Sequence, residues 1–300
     1  MLIEDWRPEL LLEGVAVDNI SPSKEIFFID EGHHYFHKDD IVKKVVKPFE
    51  KSKYKFRSPT GLLKNFYEEF DSEYQARKYV IKHNLPITWE ELAAQWKEKG
   101  DIASTHGTLL HAYGEAKWNK WDMPRPAHPK TAFVDQMYRE LSAKYKLAKT
   151  ELLTYSLDLR VAGQVDLLLR NKQTNELEMY DYKFIKAPLP KKSFYNFKTK
   201  QYKMMSGPFV ELMDTDLSHY SIQLEIYRML MGALGKKIKK KTLIVVTPEE
   251  LIYEPCIPMK IWVDKWGILQ AKYKGKWGRD YNSSKDRRYD DNPFFLVEID

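Results

Sequence analysis

Cysteine is nearly absent: Cys256 is the single one in 300 residues. One thiol excludes an intramolecular disulfide framework, a zinc site built on several cysteines, and an iron–sulfur cluster held by four thiolates of this chain. Long apolar runs are missing too. No stretch reaches the length needed to span a bilayer. The opening residues, MLIEDWRPELLLEG, carry acids from position 4 and lack the extended apolar run of a secretory signal. The expectation is a soluble protein of a reducing compartment, the cytoplasm, or the host cytoplasm if the chain is phage-encoded. Internal repeats and low-complexity tracts are lacking as well. Neither sign of charge dominates: 49 Lys and Arg against 43 Asp and Glu leave +6. So mild an excess is compatible with a polyanionic partner but does not by itself point to one.

What the chain does have is core-forming material. Hydrophobic residues make up 43% and aromatics 14%, so a packed core is expected rather than disorder. The length suits one large core, or a core with an accessory lobe. Residues 25–36 read as two short strands around an Asp-Glu-Gly turn. Ser58-Pro59-Thr60 starts a capped helix through GLLKNFYEEF, and further helices fit 71–83, 88–99, 103–119 and roughly 131–145, the last after a loop marked by Pro124, Pro126 and Pro129.

After residue 150 the pattern turns to strands. TELLTYSLD, RVAGQVDLLLR and ELEMYDYKF are short β-rich runs, and NKQTN forms a tight turn between the last two. Residues 185–217 read as irregular, SHYSIQLEIYRMLMGAL as an amphipathic helix, and KTLIVVTP and LIYEPCIPM as two more strands. Lys236 to Lys241 reads as a solubilising turn. The order implies a mixed α/β fold with a helical part leading into a sheet that is not all parallel. Three segments follow: an accessory β-hairpin over 1–57, a core over 58–260, and a partly mobile extension over 261–300.

The chemistry concentrates on the strands. Asp181 and Lys183 are two residues apart in ELEMYDYKF, so both project from one face. The neighbouring strand carries Asp166, and the short turn makes the two strands antiparallel, so Asp166 and Asp181 reach one patch easily. Two carboxylates are hard ligands suited to Mg²⁺ or Mn²⁺. A metal there stabilises charge on phosphoryl oxygens and acidifies a bound water. Lys183 is placed to orient that water, and desolvation is expected to lower its pKa. Gly163 sits three residues before Asp166, where glycine marks close backbone approach. Leu167-Leu168-Leu169 looks buried, which makes the charge of Asp166 costly unless it is paired.

Upstream, Gly107, His111 and Glu115 recur every four residues and share a helix face. His111 offers an imidazole ligand; Glu115 offers a carboxylate directly or in support. Downstream, Gln223 and Tyr227 lie one helical turn apart, Gln223 able to hydrogen-bond substrate phosphate or the lysine and Tyr227 able to stack or to tie helix to sheet. Lysines at 186, 191, 192, 198, 200 and 203, interleaved with Phe194, Tyr195, Phe197 and Tyr202, suit a nucleic-acid strand led toward the metal.

The order G-x-x-x-H-x-x-x-E, G-x-x-D, D-x-K and Q-x-x-x-Y, carried by Gly107, His111, Glu115, Gly163, Asp166, Asp181, Lys183, Gln223 and Tyr227, resembles the RecB-like branch of the PD-(D/E)XK nucleases. This branch includes phage recombination exonucleases and the mitochondrial genome maintenance exonuclease. The resemblance spans roughly residues 58 to 247. It implies a restriction-endonuclease-like central mixed sheet flanked by helices. It also implies metal ligation by Asp166, Asp181, His111 and the backbone carbonyl of Tyr182, with Lys183 catalytic. Gln164, Glu115, Gln223 and Tyr227 would support the site, and Lys186, Lys198, Lys200 and Lys203 would bind DNA. The expected activity is a Mg²⁺- or Mn²⁺-dependent DNase, an exonuclease by analogy, with a replication or recombination protein as a further candidate partner and no membrane association. A structure-specific endonuclease on the same site and a non-catalytic nucleic-acid-binding protein remain open. Two departures stand out: the second acid is Asp181 where Glu is commoner, and the iron–sulfur cysteines of some relatives are missing.

Overall fold

The computed structural model describes residues 17–29, 33–42, 45–46 and 53–258. Three short antiparallel strands come first: β1 (Asn19–Ile20), β2 (Ile26–Ile29) and β3 (His34–His37). A two-stranded pair follows, β4 (Ile41–Val42) and β5 (Val45–Val46). Four helices come next: α1 (Pro59–Leu63), α2 (Ser72–His83), α3 (Trp89–Asn119) and α4 (Thr131–Lys144). The chain then forms β6 (Tyr145–Ser156), β7 (Val161–Asn171) and β8 (Leu177–Phe184), a small hairpin of β9 (Tyr195–Asn196) and β10 (Gln201–Tyr202), helix α5 (Asp216–Ala233), and strands β11 (Ile238–Val246) and β12 (Leu251–Pro255).

Five of these strands make the central sheet, in the order β12-β11-β8-β7-β6. Every neighbouring pair is antiparallel except β8 and β11, which run parallel. A parallel pair needs a crossover, and residues 185–237 with α5 supply it. The sheet is mixed and helices flank it, as the alternation of helical and strand patterns implies. Both faces are buried, and the period-2 alternation sorts the side chains. Met179 of β8 and Leu243 and Val245 of β11 join Leu224 of α5 on one side. Tyr180 and Tyr182 of β8 and Ile244 and Val246 of β11 join Leu110 of α3 and Met137 of α4 on the other.

Local signals explain most helix starts. Ser58 caps α1 by accepting from the Gly61 N–H at 3.0 Å, and Asp71 caps α2. Thr88 and Glu91 form a capping box at the start of α3. The two helices expected over 88–99 and 103–119 are one continuous α3. Gly100 costs only about 1 kcal/mol relative to alanine in a helix interior, and the Lys97–Asp101 ion pair at 2.5 Å spans it. The segment 185–217, expected to be irregular, contains the β9–β10 hairpin. Lys236 to Lys241 is not simply a turn, because β11 begins at Ile238 and Lys241 pairs with the buried Glu225, which Arg228 also grips at 2.6 Å.

The small N-terminal sheet packs on the central one: Ile26, Phe28, Tyr35 and Phe56 share a cluster with Leu153, Tyr155 and Ala162. Backbone hydrogen bonds cross the expected 57/58 boundary, since Arg57 N donates to Arg160 O at 2.9 Å and Ala162 N to Arg57 O at 3.0 Å. The Asp-Glu-Gly turn at 30–32 and the extension over 261–300 lie outside the described residues. No helix among the described residues is long and apolar enough to cross a membrane.

Gly163 is where α1 and α5 close on β7. A Cβ there would lie 2.7 Å from Tyr227 Cε1 and 2.9 Å from Pro59 Cδ, so only glycine lets these elements meet. Gly107 differs, because a Cβ there would meet nothing within 4 Å. Gly163→Ala is therefore expected to destabilise the fold by about 1–3 kcal/mol through overpacking. Gly107→Ala should be neutral or stabilising by up to about 1 kcal/mol. Urea denaturation of the two variants checks both.

Candidate metal centre

Three elements converge on Asp166. In the β7–β8 ladder Leu167 pairs with Tyr180, which brings Asp166 and Asp181 to adjacent places on neighbouring strands. Asp166 Oδ2 accepts a hydrogen bond from the Tyr182 backbone N–H at 3.0 Å, locking the carboxylate against β8. From α3, His111 Nδ1 lies 3.6 Å from the same oxygen. That is too long for a hydrogen bond and suits two groups facing a shared cation. The His111 ring stands edge-on to Tyr182, with centroids 5.2 Å apart, so packing fixes its orientation.

The third member of this group is Glu151, which the sequence reading passed over. Among the described residues, His111, Glu151 and Asp166 each offer one ligand atom, and these atoms all lie within 4.8 Å of one another. Glu151 lies between ladder partners: Thr150 pairs with Leu167 and Leu152 with Val165, which sets Glu151 across from Asp166. Its backbone is unusual for a strand, with φ +44°, a left-handed conformation that strains a non-glycine residue. The Asn19 side-chain amide of β1 donates to the Glu151 carbonyl at 2.6 Å and holds that conformation. Counting back along β6 from the turn at 157–160 would have set Glu151 opposite Asp166. No motif in the sequence marks it.

Charge crowding shapes the whole patch. Burial, followed by repulsion from Asp166, Glu115 and Asp181, drives the Glu151 carboxyl well above the usual carboxylate range. Burial and the Asp166 charge push Asp181 up to about 6, while Lys183 pulls the other way. Lys183 forms an ion pair with Asp181, and its ammonium lies 4.4 Å from the centre of the Tyr220 ring. The expected fall in the lysine pKa does not occur. Burial disfavours its charge, but Asp181 and Asp166 outweigh that and raise it, so Lys183 stays an ammonium.

Glu115 supports from behind. It accepts a hydrogen bond from Thr150 Oγ1 at 3.1 Å, Thr150 in turn accepts one from Asn119 at 2.8 Å, and burial raises the Glu115 pKa. Gln223 and Tyr227 face each other on α5 at 3.5 Å, and Tyr227 fills the space over Gly163. Gln164 is half-buried on β7, two residues before Asp166. The four expected site acids and bases thus come together in part: His111 and Asp166 join Glu151, whereas Asp181 is held against Lys183.

The expected DNA-contacting lysines divide. Lys186, Lys198 and Lys200 are exposed, the last two at the tip between β9 and β10, beside Phe197, which is 82% exposed. Lys203 is committed to Asp214 at 2.9 Å and Glu68 at 3.5 Å. Comparison with known families and known proteins adds no name: no family model and no curated protein matches the chain.

An imidazole nitrogen and two carboxylates in one place are a fitting donor set for a divalent cation. The mutual repulsion of the acids is what a charge-neutralising cation would relieve. Glu151→Gln should therefore raise the melting temperature in EDTA by roughly 2–4 °C and abolish the stabilisation that added Mn²⁺ gives the wild type. Thermal melts with and without metal read both effects.

Asp181 gives a second test. Its folded value near 6 exceeds the ordinary 3.8, so folding favours the protonated form. That contribution is complete below about 4 and is lost as the pH rises through about 6. The difference in stability between wild type and Asp181→Asn, measured without metal, should change over that window and be flat above it.

Proposed function

We propose that this chain is a divalent-cation-dependent nuclease that hydrolyses phosphodiester bonds of DNA, on a restriction-endonuclease-like fold. The observation that carries the reading is the grouping of His111, Glu151 and Asp166 beside the buried Asp181–Lys183 pair. Nitrogen and hard oxygen donors suit Mn²⁺ and Mg²⁺. Such a cation, when bound, supplies charge neutralisation at phosphoryl oxygens and a more acidic water.

The protein's own groups do the rest. His111, Glu151 and Asp166 would hold the cation. Asp181 positions Lys183, whose retained positive charge offsets the charge that builds on the phosphate as the bond breaks. Tyr220 covers the ammonium and limits its contact with water. Tyr182 contributes its amide to Asp166, so the strand that bears Lys183 also sets the angle of the opposite carboxylate. The order of motifs along the chain, from His111 through Asp166 and Asp181–Lys183 to Gln223–Tyr227, favours an exonuclease by analogy with the RecB-like branch. Lys186, Lys198 and Lys200, with Phe194 and Phe197 exposed among them, suit a single strand or a frayed end leading to the site.

The test is degradation of end-labelled single-stranded, linear duplex and closed circular DNA with Mg²⁺, Mn²⁺ or EDTA. Wild type should degrade linear substrates only, and only with metal. Asp166→Asn should be inactive, and Lys183→Met should lower kcat about 10²- to 10³-fold. Cutting of the circle would turn the reading to an endonuclease. No cleavage under any metal would overturn it.

A further inference from the structure

Next to the acidic patch lies a group of basic side chains that the nuclease reading leaves unused. His106, just over one helical turn before His111 on α3, meets His128 from the loop before α4, with ring centroids 4.8 Å apart and an edge-to-face arrangement. Lys130 closes the group. Its backbone N–H donates to His128 Nδ1 at 3.2 Å, which leaves the proton of a neutral His128 on Nε2 as a donor. The Lys130 ammonium donates to the Ile185 carbonyl at 2.7 Å, immediately after the strand that carries Asp181 and Lys183. Two of its three hydrogens stay available. Phe184, one residue earlier, packs on His111 at 5.5 Å between ring centres. The basic group is thus tied to the metal centre through β8 and α3.

Its electrostatics are distinctive. Most partly buried cations of this protein have a carboxylate: Lys117 has Asp135, Lys203 has Asp214, Lys241 has Glu225 and Lys183 has Asp181. No ion pair among the described residues includes Lys130, His106 or His128. Burial alone lowers the Lys130 pKa, with no acid to raise it. Burial, then His106 and Lys130, lower that of His128. Lys130 and His128 are partly buried without a counter-charge, which disfavours their charged forms, and an anionic ligand offsets that.

We propose that His106, His128 and Lys130 form a phosphate subsite beside the metal centre, which binds a phosphate of the substrate strand other than the one being cleaved. This inference rests on the nuclease reading. An oligonucleotide offers that chemistry in two ways, as a terminal phosphomonoester or as an internal phosphodiester.

The experiment measures oligonucleotide binding by fluorescence anisotropy, with Mg²⁺, in an Asp181→Asn background, while cleavage by the otherwise unaltered protein is followed in parallel. Two single strands of one sequence are compared, one 5′-phosphorylated and one 5′-hydroxyl. His106→Gln/His128→Gln and Lys130→Met should each weaken binding about tenfold, and Lys130→Met, which removes a charge, should also make the salt dependence shallower by about one phosphate contact. Lys130→Arg should bind close to the parent. A loss confined to the phosphorylated strand identifies a terminal phosphate, and an equal loss on both identifies an internal one. If Lys130→Met melts early, the histidine pair decides, since His106 is exposed. Variants that fold, cleave and bind like the parent overturn the subsite and leave the nuclease standing. Failure of the parent to bind or cleave any strand overturns both.

Discussion

Glu115, Glu151, Asp166 and Asp181 stand within electrostatic reach of one another, with Lys183 beside Asp181, Lys149 near Glu115 and His111 beside Asp166. Left in water these carboxylates would separate; the sheet does not allow it. The β6–β7–β8 ladder fixes three of them by register, and α3, packed across the same face, brings the fourth together with His111. Much of the surrounding architecture can be understood as holding this arrangement. Hydrogen bonds from the Tyr182 amide, Thr150 and Asn119 are spent on it, and both faces of β8 are buried so that its strand direction cannot drift. A buried cluster of like charges is costly on its own terms. Its persistence in the fold is best understood as a stored demand for positive charge.

That demand is met unequally. Lys183 answers for Asp181 and, at longer range, Asp166, and it remains charged because the acids outnumber it. Glu151 has no such partner among the described residues, and burial, followed by repulsion from Asp166, Glu115 and Asp181, drives its carboxyl up. A cation held by His111, Glu151 and Asp166 would therefore complete an electrostatic balance that the side chains leave unfinished, and the Asp181–Lys183 pair would sit alongside as a preorganised dipole aimed at the same region. The Lys130 ammonium, held on the Ile185 carbonyl just past β8, adds a cation near the same strand end.

Much of this was legible in the sequence where local chemistry decides. The D-x-K pair on one strand, the glycine before Asp166 and the helical spacing of His111 and Glu115 each follow from periods of 2.0 and 3.6, and the structure puts Asp166, Asp181, Lys183, His111 and Glu115 in one neighbourhood. The role of Gly163 was readable as close approach, although the residues that approach, Tyr227 and Pro59, are distant in sequence. Three things were not legible. The left-handed backbone of Glu151, and its contact with Asn19 more than a hundred residues earlier, have no local signal. The Lys183 pKa depends on how many acids share its pocket, which spacing alone does not count. The continuity of α3 through Gly100 depends on a capping box and an ion pair outweighing one glycine. In each case a long-range or summed effect overrode a local signal.

The Asn19 amide on the Glu151 carbonyl ties the three-stranded N-terminal sheet to the one residue of the acidic patch with a left-handed backbone. Two equilibria then share one contact: the seating of the N-terminal strands on β6, and the readiness of Glu151 to act as a ligand. By reciprocity, whatever favours one favours the other by the same free energy. The first strands of the chain are thus more than a cover for one edge of the core. Through that contact they reach the candidate metal centre, and undocking them would loosen Glu151 without altering any of the three residues that could hold a cation.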